Sequence, residues 1–401
     1  MSNASLGERE RNRDAGVIPR KQVALVRGLG CEVWDADGKS YVDLGGVSYG
    51  AMNVGHCHPK VVAALRAQAD QLWFAGQTWP NDQRAALLEK LVSMAPRGTS
   101  KAFLCNSGTE AIEGALKFAR GSTGRSNLVA FRNAFHGRSM GALSLTWKPQ
   151  YRKPFEPLVP GVTFVPYGDT EALKQAVDRA TAAVFVEPVQ GEGGVHVAPP
   201  GFLRAVRDIT SDAGALMVAD EIQTGLGRTG RMWGVDHAGV QPDVACVAKS
   251  VAGGFPMGAV LLSESAAKVP QLSHGTTFGG APLACAAASA ALDVIVEERL
   301  AERAARLGPR LMEGLRGIGS PHVREVRGLG LMVALDLRMR NGPLLQGMME
   351  RGALGLATGS TAMRYLPPLV ITEAQMDQAL AATRDALAAM PAQTAEPEAG
   401  A

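Results

Sequence analysis

An α/β fold with a mostly parallel sheet is what this 401-residue sequence predicts. Three observations lead there. Seven short apolar runs cross the middle of the chain, at 102–105, 128–131, 162–165, 183–186, 215–219, 244–248 and 259–262. Runs apolar on both faces suit interior strands covered by helices. Helical patterns lie between them: Phe202, Leu203, Val206 and Ile209 recur at helical spacing after Pro199 and Pro200, and Gly214 ends that helix before the next strand. After Pro282 the pattern changes to long Ala/Leu-rich helical stretches, the strand-like "VRGLGLMVALDL" and a last helix from about Thr372. Strands alternating with helices read as βαβ units, and the later part as a separate α+β unit.

The domain organisation follows. Residues 1–50 form an N-terminal segment that packs with the small domain, 51–283 a large ligand-binding domain, 284–390 a small α+β domain, and 391–401 a disordered tail poor in apolar residues. Within the first segment, "GCEVWDADGKSYVDLGG" reads as a hairpin turning at Asp37-Gly38.

Composition narrows the function. A hydrophobic content of 46% with 20% charged residues is that of an ordinary globular protein. The formal charge of +3 is small and dispersed, so no nucleic-acid partner is expected. No window approaches the roughly 18 apolar residues of a membrane span, so no membrane partner is expected either. The N-terminal "ERERNRDAGVIPRK" carries both signs of charge and no apolar core, unlike a signal or transit peptide. Five widely spaced cysteines suit reduced thiols in a cytoplasmic protein. His56-Cys57-His58 has no second ligand pair at metal spacing, so it reads as a buried turn and no metal is expected.

Three features carry chemistry. In "KAFLCNSGTEAIEGALKFAR", Ser107 and Glu110 have the spacing of a capping box, and Ile112, Ala115, Leu116 and Ala119 mark the buried face of the helix that follows. Taken alone this is a well-capped helix. The functional alternative is a phosphate cradle formed by the N–H groups of Gly108 and Thr109. Asp220 ends one strand and Lys249 another, and in open α/β sheets ligands bind outside the carboxyl ends of strands. Pyridoxal phosphate needs that set of groups: a lysine amine for its aldehyde, a carboxylate for its ring nitrogen and an anion site for its phosphate. Gly225, Gly227 and Gly230 also fit the dinucleotide pattern G-x-G-x-x-G, but four residues separate them from the strand and no convincing helix follows. A nicotinamide oxidoreductase is therefore the weaker reading.

In order along the chain, "NSGTEA", "FHGR", "VEPVQGEGG", "DEIQTGLGRTG", "AKSVAGGFPMG", "HGTTFGG" and "RYLPPLVI" resemble the class III aminotransferases. The resemblance covers about 16–387. It implies fold type I of the pyridoxal-phosphate enzymes, a large domain with a mostly parallel seven-stranded sheet plus a smaller α+β domain, working as a homodimer with shared active sites. Lys249 then resembles the cofactor-bonding lysine, Asp220 the ring-nitrogen partner and Gln223 the partner of the ring hydroxyl. Gly108 and Thr109 would hold the phosphate, Thr277 would reach the phosphate in a neighbouring subunit, and Phe135 would stack on the ring. Arg138 and Thr276 would meet substrate, Arg364 would bind the α-carboxylate of glutamate, and Glu192 would pair with Arg364 when the other substrate is present.

Within the family, "TWKPQYRKPFEPLV" and "GTTFGG" lean toward the enzymes that act on lysine carried by an acidic amino-group carrier protein, with acetylornithine aminotransferases close by. The implied reaction moves a terminal amine to 2-oxoglutarate, giving an aldehyde and glutamate, in lysine biosynthesis, with acetylornithine in arginine biosynthesis as a second role. Tyr49 leaves ornithine aminotransferases open, and Ala281 stands where the family commonly has Asn. The remaining alternatives are another pyridoxal-phosphate activity, such as an aminomutase or decarboxylase, and a non-catalytic regulator that kept the fold.

Overall fold

The computed structural model describes residues 1–391; the expected disordered tail lies almost wholly outside the described residues. The chain opens with α1 (Asn3–Arg11), then the antiparallel strands β1 (Leu25–Leu29), β2 (Glu32–Asp35) and β3 (Ser40–Asp43). The hairpin of β2 and β3 turns where the sequence indicates, with the Asp35 N–H donating to Lys39 O at 3.0 Å and Gly38 at φ +91°. Helices α2 (Pro59–Ala69) and α3 (Asp82–Met94) lead into the central sheet.

All seven apolar runs become strands of one sheet. In chain order the elements are β4 (Thr99–Cys105), α4 (Gly108–Thr123), β5 (Asn127–Phe131), α5 (Met140–Ser144), α6 (Pro149–Arg152), β6 (Val162–Val165), α7 (Thr170–Ala176) and β7 (Thr181–Val186). The short pair β8 (Val189–Gln190) and β9 (His196–Val197) follows, then α8 (Phe202–Ala213), β10 (Leu216–Asp220), β11 (Val244–Val247) and β12 (Gly258–Ser263). The strand order is β4-β12-β11-β10-β7-β5-β6, and only β12 runs antiparallel to its neighbours. Every residue of β7, β10 and β11 is buried, which explains why all but Thr181 and Asp220 are apolar. Gly214 caps α8 in the left-handed conformation, as its place in the sequence implies.

Beyond the sheet, α9 (Pro282–Glu297) packs along α2 and α3, and α10 (Leu300–Gly317) follows. "VRGLGLMVALDL" is not one strand but a hairpin of β13 (Val323–Leu329) and β14 (Met332–Leu337). The physical reason is Gly330, at φ +55°: a Cβ there would lie 2.4 Å from the Thr229 backbone, so only glycine can make this turn against its neighbour. The chain then forms α11 (Gly342–Glu350), β15 (Ala353–Leu354), β16 (Leu356–Thr358), β17 (Ala362–Tyr365) and α12 (Glu373–Ala388), the last capped by Thr372. β13, β14, β17 and β16 make a second, antiparallel sheet, and β15 pairs with β3. That second sheet faces the carboxyl ends of the central strands with Arg364.

Candidate active site

Asp220 is the last residue of β10 and pairs in register with Cys246 of β11, so Lys249 leaves the neighbouring strand one short step further on. Lys249 has φ +39°, an uncommon conformation for a residue with a side chain, at the sharp turn from β11 into a 3-10 segment. Both residues line a cavity of about 260 Å³ with Gly108, Thr109, Phe135, His136, Gly137, Glu187, Ile222 and Gln223. Burial pushes the Lys249 ammonium below the ordinary lysine range, against the opposing pull of Asp220 and Glu192.

Helix α4 starts at this cavity. Ser107 Oγ accepts from the Glu110 N–H at 3.2 Å, one half of the capping box. The other half differs from expectation: the Glu110 carboxylate accepts from the Asn106 N–H at 2.6 Å and from Asn106 Nδ2 at 2.9 Å. Asn106 in turn donates to Thr276 Oγ1 at 2.9 Å, which fixes the loop carrying Thr276 and Thr277 beside the helix start. Among the described residues, the N–H groups of Gly108 and Thr109 have no acceptor, and they open onto the cavity as an anion site at the positive end of a 16-residue helix.

Two residues that sequence reasoning missed complete the cavity. His136 Nδ1 lies 2.7 Å from Asp220 Oδ2, and Asp220 Oδ1 accepts from the Ile222 N–H at 3.0 Å. Burial disfavours the charged imidazole, yet the Asp220 carboxylate outweighs it and holds the His136 pKa above the ordinary histidine value. Only packing reveals this pair, although His136 lay within "FHGR". Glu187 follows β7 directly and accepts from the N–H groups of Phe135 at 3.0 Å and Gly191 at 3.2 Å. Burial raises its pKa to about 7, against the opposing charge of His136. The rule that located Asp220, an acid at the carboxyl end of a parallel strand, also singles out Glu187.

The remaining expected residues divide. Arg364, buried on β17, donates to Glu192 Oε1 at 2.6 Å and to Gln223 Oε1 at 3.2 Å, which ties the second sheet to the cavity wall. Its Nε is buried without a partner among the described residues. Thr358 Oγ1 holds the Glu192 backbone by donating to its carbonyl at 2.8 Å. Phe135 is on the cavity wall, edge-on to Tyr151 at 6.1 Å between centroids. Arg138 is exposed, its guanidinium 4.9 Å from the Tyr151 ring centre, outside the cavity lining. Thr277 is exposed and does not line this chain's own cavity. Tyr49 is also exposed, and Ala281 is the N-cap of α9, where it supplies no side-chain hydrogen bond.

The donor set fits pyridoxal phosphate. Open N–H groups suit its phosphate, the Asp220 carboxylate its ring nitrogen, Gln223 its hydroxyl, and an amine of lowered pKa its aldehyde. The glycine-rich decoy is used otherwise: Cβ atoms at Gly227 and Gly230 would meet Ala301 and Ala305 of α10 at 3.2 Å and 3.0 Å, so these glycines admit a helix, not a dinucleotide. His56 pairs with Asp43 at 2.9 Å and His58 with Glu298 at 3.1 Å. No helix among the described residues is long and apolar enough to cross a membrane.

Comparison with known proteins is consistent with this geometry. Residues 16–387 match the family described as "Aminotransferase class-III". The [LysW]-aminoadipate semialdehyde transaminase of Deinococcus radiodurans is 48% identical, over 93% of this chain and 88% of that one. The acetylornithine aminotransferase of Methanocaldococcus jannaschii is 43% identical, over 94% and 96%. Among solved structures, the ornithine aminotransferase of Toxoplasma gondii superposes with a TM-score of 0.93 at 34% identity, covering 97% of this chain and 96% of that one.

Proposed function

The chain belongs to the class III aminotransferases and is a pyridoxal-phosphate enzyme, and on that footing we propose that it transfers a terminal amine to 2-oxoglutarate. The donor we infer is lysine held through its α-amine on a carrier protein, with N-acetylornithine as a second substrate; similarity to a [LysW]-aminoadipate semialdehyde transaminase and to acetylornithine aminotransferases supports this reading. The observation that carries the reading is the buried Arg364, paired with Glu192 at the edge of the cavity that holds Lys249 and Asp220.

When bound, pyridoxal phosphate supplies an aldehyde that receives the amine and a ring that draws electrons from the substrate carbon. The chain's residues do the rest. Gly108 and Thr109 would hold the phosphate, and Phe135 would cover the ring. Asp220, braced by His136, would keep a proton on the ring nitrogen. Lys249 Nζ takes the proton from the substrate carbon and returns it as an acid; its lowered pKa leaves more free base near neutrality. Arg364 binds the α-carboxylate of glutamate with its planar fork, and Arg138 turns toward the distal carboxylate. With the terminal-amine donor, Glu192 keeps Arg364 occupied, so no second α-carboxylate is required. In a homodimer, Thr277 would serve the neighbouring site.

The test is parallel kinetics with N-acetylornithine, ornithine and a γ-glutamyl-linked lysine, read as ratios of kcat/KM. The linked lysine is expected to lead. A preference for free ornithine would overturn the assignment within the family, and borohydride treatment that leaves Lys249 unlabelled would overturn the chemistry.

A further inference from the structure

We propose that Thr358 and Arg327 are positioning residues for the exchange of substrates: they clamp the backbone of the turn that carries Glu192, so that Glu192 leaves and rejoins Arg364 by a swing of its side chain alone. This rests on the Arg364–Glu192 reading above. The turn lies between β8 and β9, and the second sheet holds it at two carbonyls. Thr358 Oγ1 donates to Glu192 O at 2.8 Å, and Arg327 Nε donates to Gly194 O at 2.9 Å. At the start of the turn the Gly191 N–H donates to Glu187 Oε2 at 3.2 Å. The Glu192 carboxylate, by contrast, meets Arg364 alone among the described residues. Arg364 is 1% exposed and Glu192 28%, so the acid is the partner with room to move.

Strand register places the clamp and the arginine together. Arg327 of β13 pairs with Ala334 of β14, and Ala334 pairs in turn with Arg364 of β17. Residues paired in this way share one face, so the two arginines stand about 10 Å apart across a small alanine. Thr358 pairs with Ala362, two residues before Arg364, and belongs to the same face. The turn lies over this row, with Val195 buried in one apolar cluster with Ala334 and Leu366. Val195 has φ +57°, a conformation that a β-branched residue keeps only where its surroundings impose it. Arg327 is itself braced by Glu325 at 2.6 Å and Asp336 at 3.4 Å. With the backbone fixed, Glu192 returns to Arg364 in one geometry and covers it whenever the terminal-amine donor is bound. Without the clamp the pair forms less readily and leaves a buried cation uncompensated in the donor complex. Glutamate displaces Glu192 in any case, so its binding loses little.

The experiment compares two half-reactions of the holoenzyme, each followed by the change in cofactor absorbance. One uses glutamate; the other uses N-acetylornithine or a γ-glutamyl-linked lysine, whichever reacts faster. Thr358→Val keeps the side-chain shape and removes the donor. It should lower the second-order rate constant for the terminal amine about fivefold, the worth of one hydrogen bond, and leave glutamate within about twofold. Thr358→Ser should restore the wild-type ratio. Arg327→Met should act in the same direction, and should it not fold, the Thr358 variants decide alone. In a Glu192→Ala background, Thr358→Val should shift the ratio no further. Equal loss of both half-reactions, or the same shift with Glu192 absent, leaves Thr358 a structural role and overturns the proposal. A Glu192→Ala variant with the wild-type ratio shows instead that the Arg364–Glu192 reading itself fails, and the proposal with it. Amide exchange gives a readout independent of turnover: in the apo-protein, a peptide spanning 189–197 should exchange faster in Thr358→Val than in wild type, and unchanged exchange overturns the clamp.

Discussion

Two regions meet at the end of β10, and both bury charge. On one side is the cavity, where Asp220 faces His136 and Lys249. On the other is the loop that begins with Glu221, whose carboxylate accepts from Thr224 Oγ1 and from the N–H groups of Gly234 at 2.9 Å and Val235 at 2.8 Å. Arg228 in that loop donates to Leu331 O at 2.9 Å, Pro367 O at 2.6 Å and Asn53 Oδ1 at 2.6 Å. The loop spans between the two sheets and, Arg228 Nε apart, satisfies its charges within the chain. The cavity instead leaves an amine and a pair of N–H groups without partners among the described residues. Buried charge thus has two uses, and they differ in where the hydrogen bonds end.

Substitutions on the two sides should separate activity from stability. The largest effect is expected for Lys249→Ala, which should lower kcat by about a thousandfold or more while the apo-protein unfolds as the wild type does. Steady-state rates and a urea melt on the same preparation check this. Arg228→Met should do the reverse, costing about 3 kcal/mol of stability because three acceptors lose their donor in a buried place; the rate per folded active site should hardly change. Burial already pushes Arg228 down to about 9, against the pull of Asp43, a sign of how little water reaches it.

Glu221→Gln sharpens the comparison through pH. Burial raises the Glu221 pKa from 4.5 to about 7, so the folded state holds a proton that the unfolded chain has released. The cost of the buried carboxylate is absent below about pH 4.5, grows as pH rises and is complete above about pH 7. Losing hydrogen bonds to Thr224, Gly234 and Val235 should make the variant less stable than the wild type by about 1–2 kcal/mol near the acid end, with the gap narrowing and then reversing toward neutrality. A gap that widens with pH would contradict this. The smallest effect is a gain at the start of α9: Ala281→Asn gives that helix the side-chain cap it lacks and should add about 1 kcal/mol, read as a shift in urea midpoint.

Much of this was legible in residue order. Apolar runs on both faces located all seven central strands, and two strand ends gave Asp220 and Lys249. The β13–β14 turn was not legible, because "RGLGLMVAL" reads as a continuous apolar run until the backbone of Thr229 blocks any residue but glycine at 330. His136 and Glu187 were missed as site residues for different reasons. Glu187 ended a strand as Asp220 did and was passed over. His136 gains its place only through Asp220, 84 positions away.

The sequence by itself determined where strands and helices lie and which reactive groups sit at their ends, because hydrophobic periodicity and capping act over a few residues. Tertiary packing alone decided that Asp220 meets a histidine while its neighbour Glu221 holds a loop, and that Arg364 crosses from the second sheet to Glu192, 172 positions earlier. Successive side chains on a strand point to opposite sides, so two adjacent acids met different surroundings, and only the folded chain supplied those surroundings.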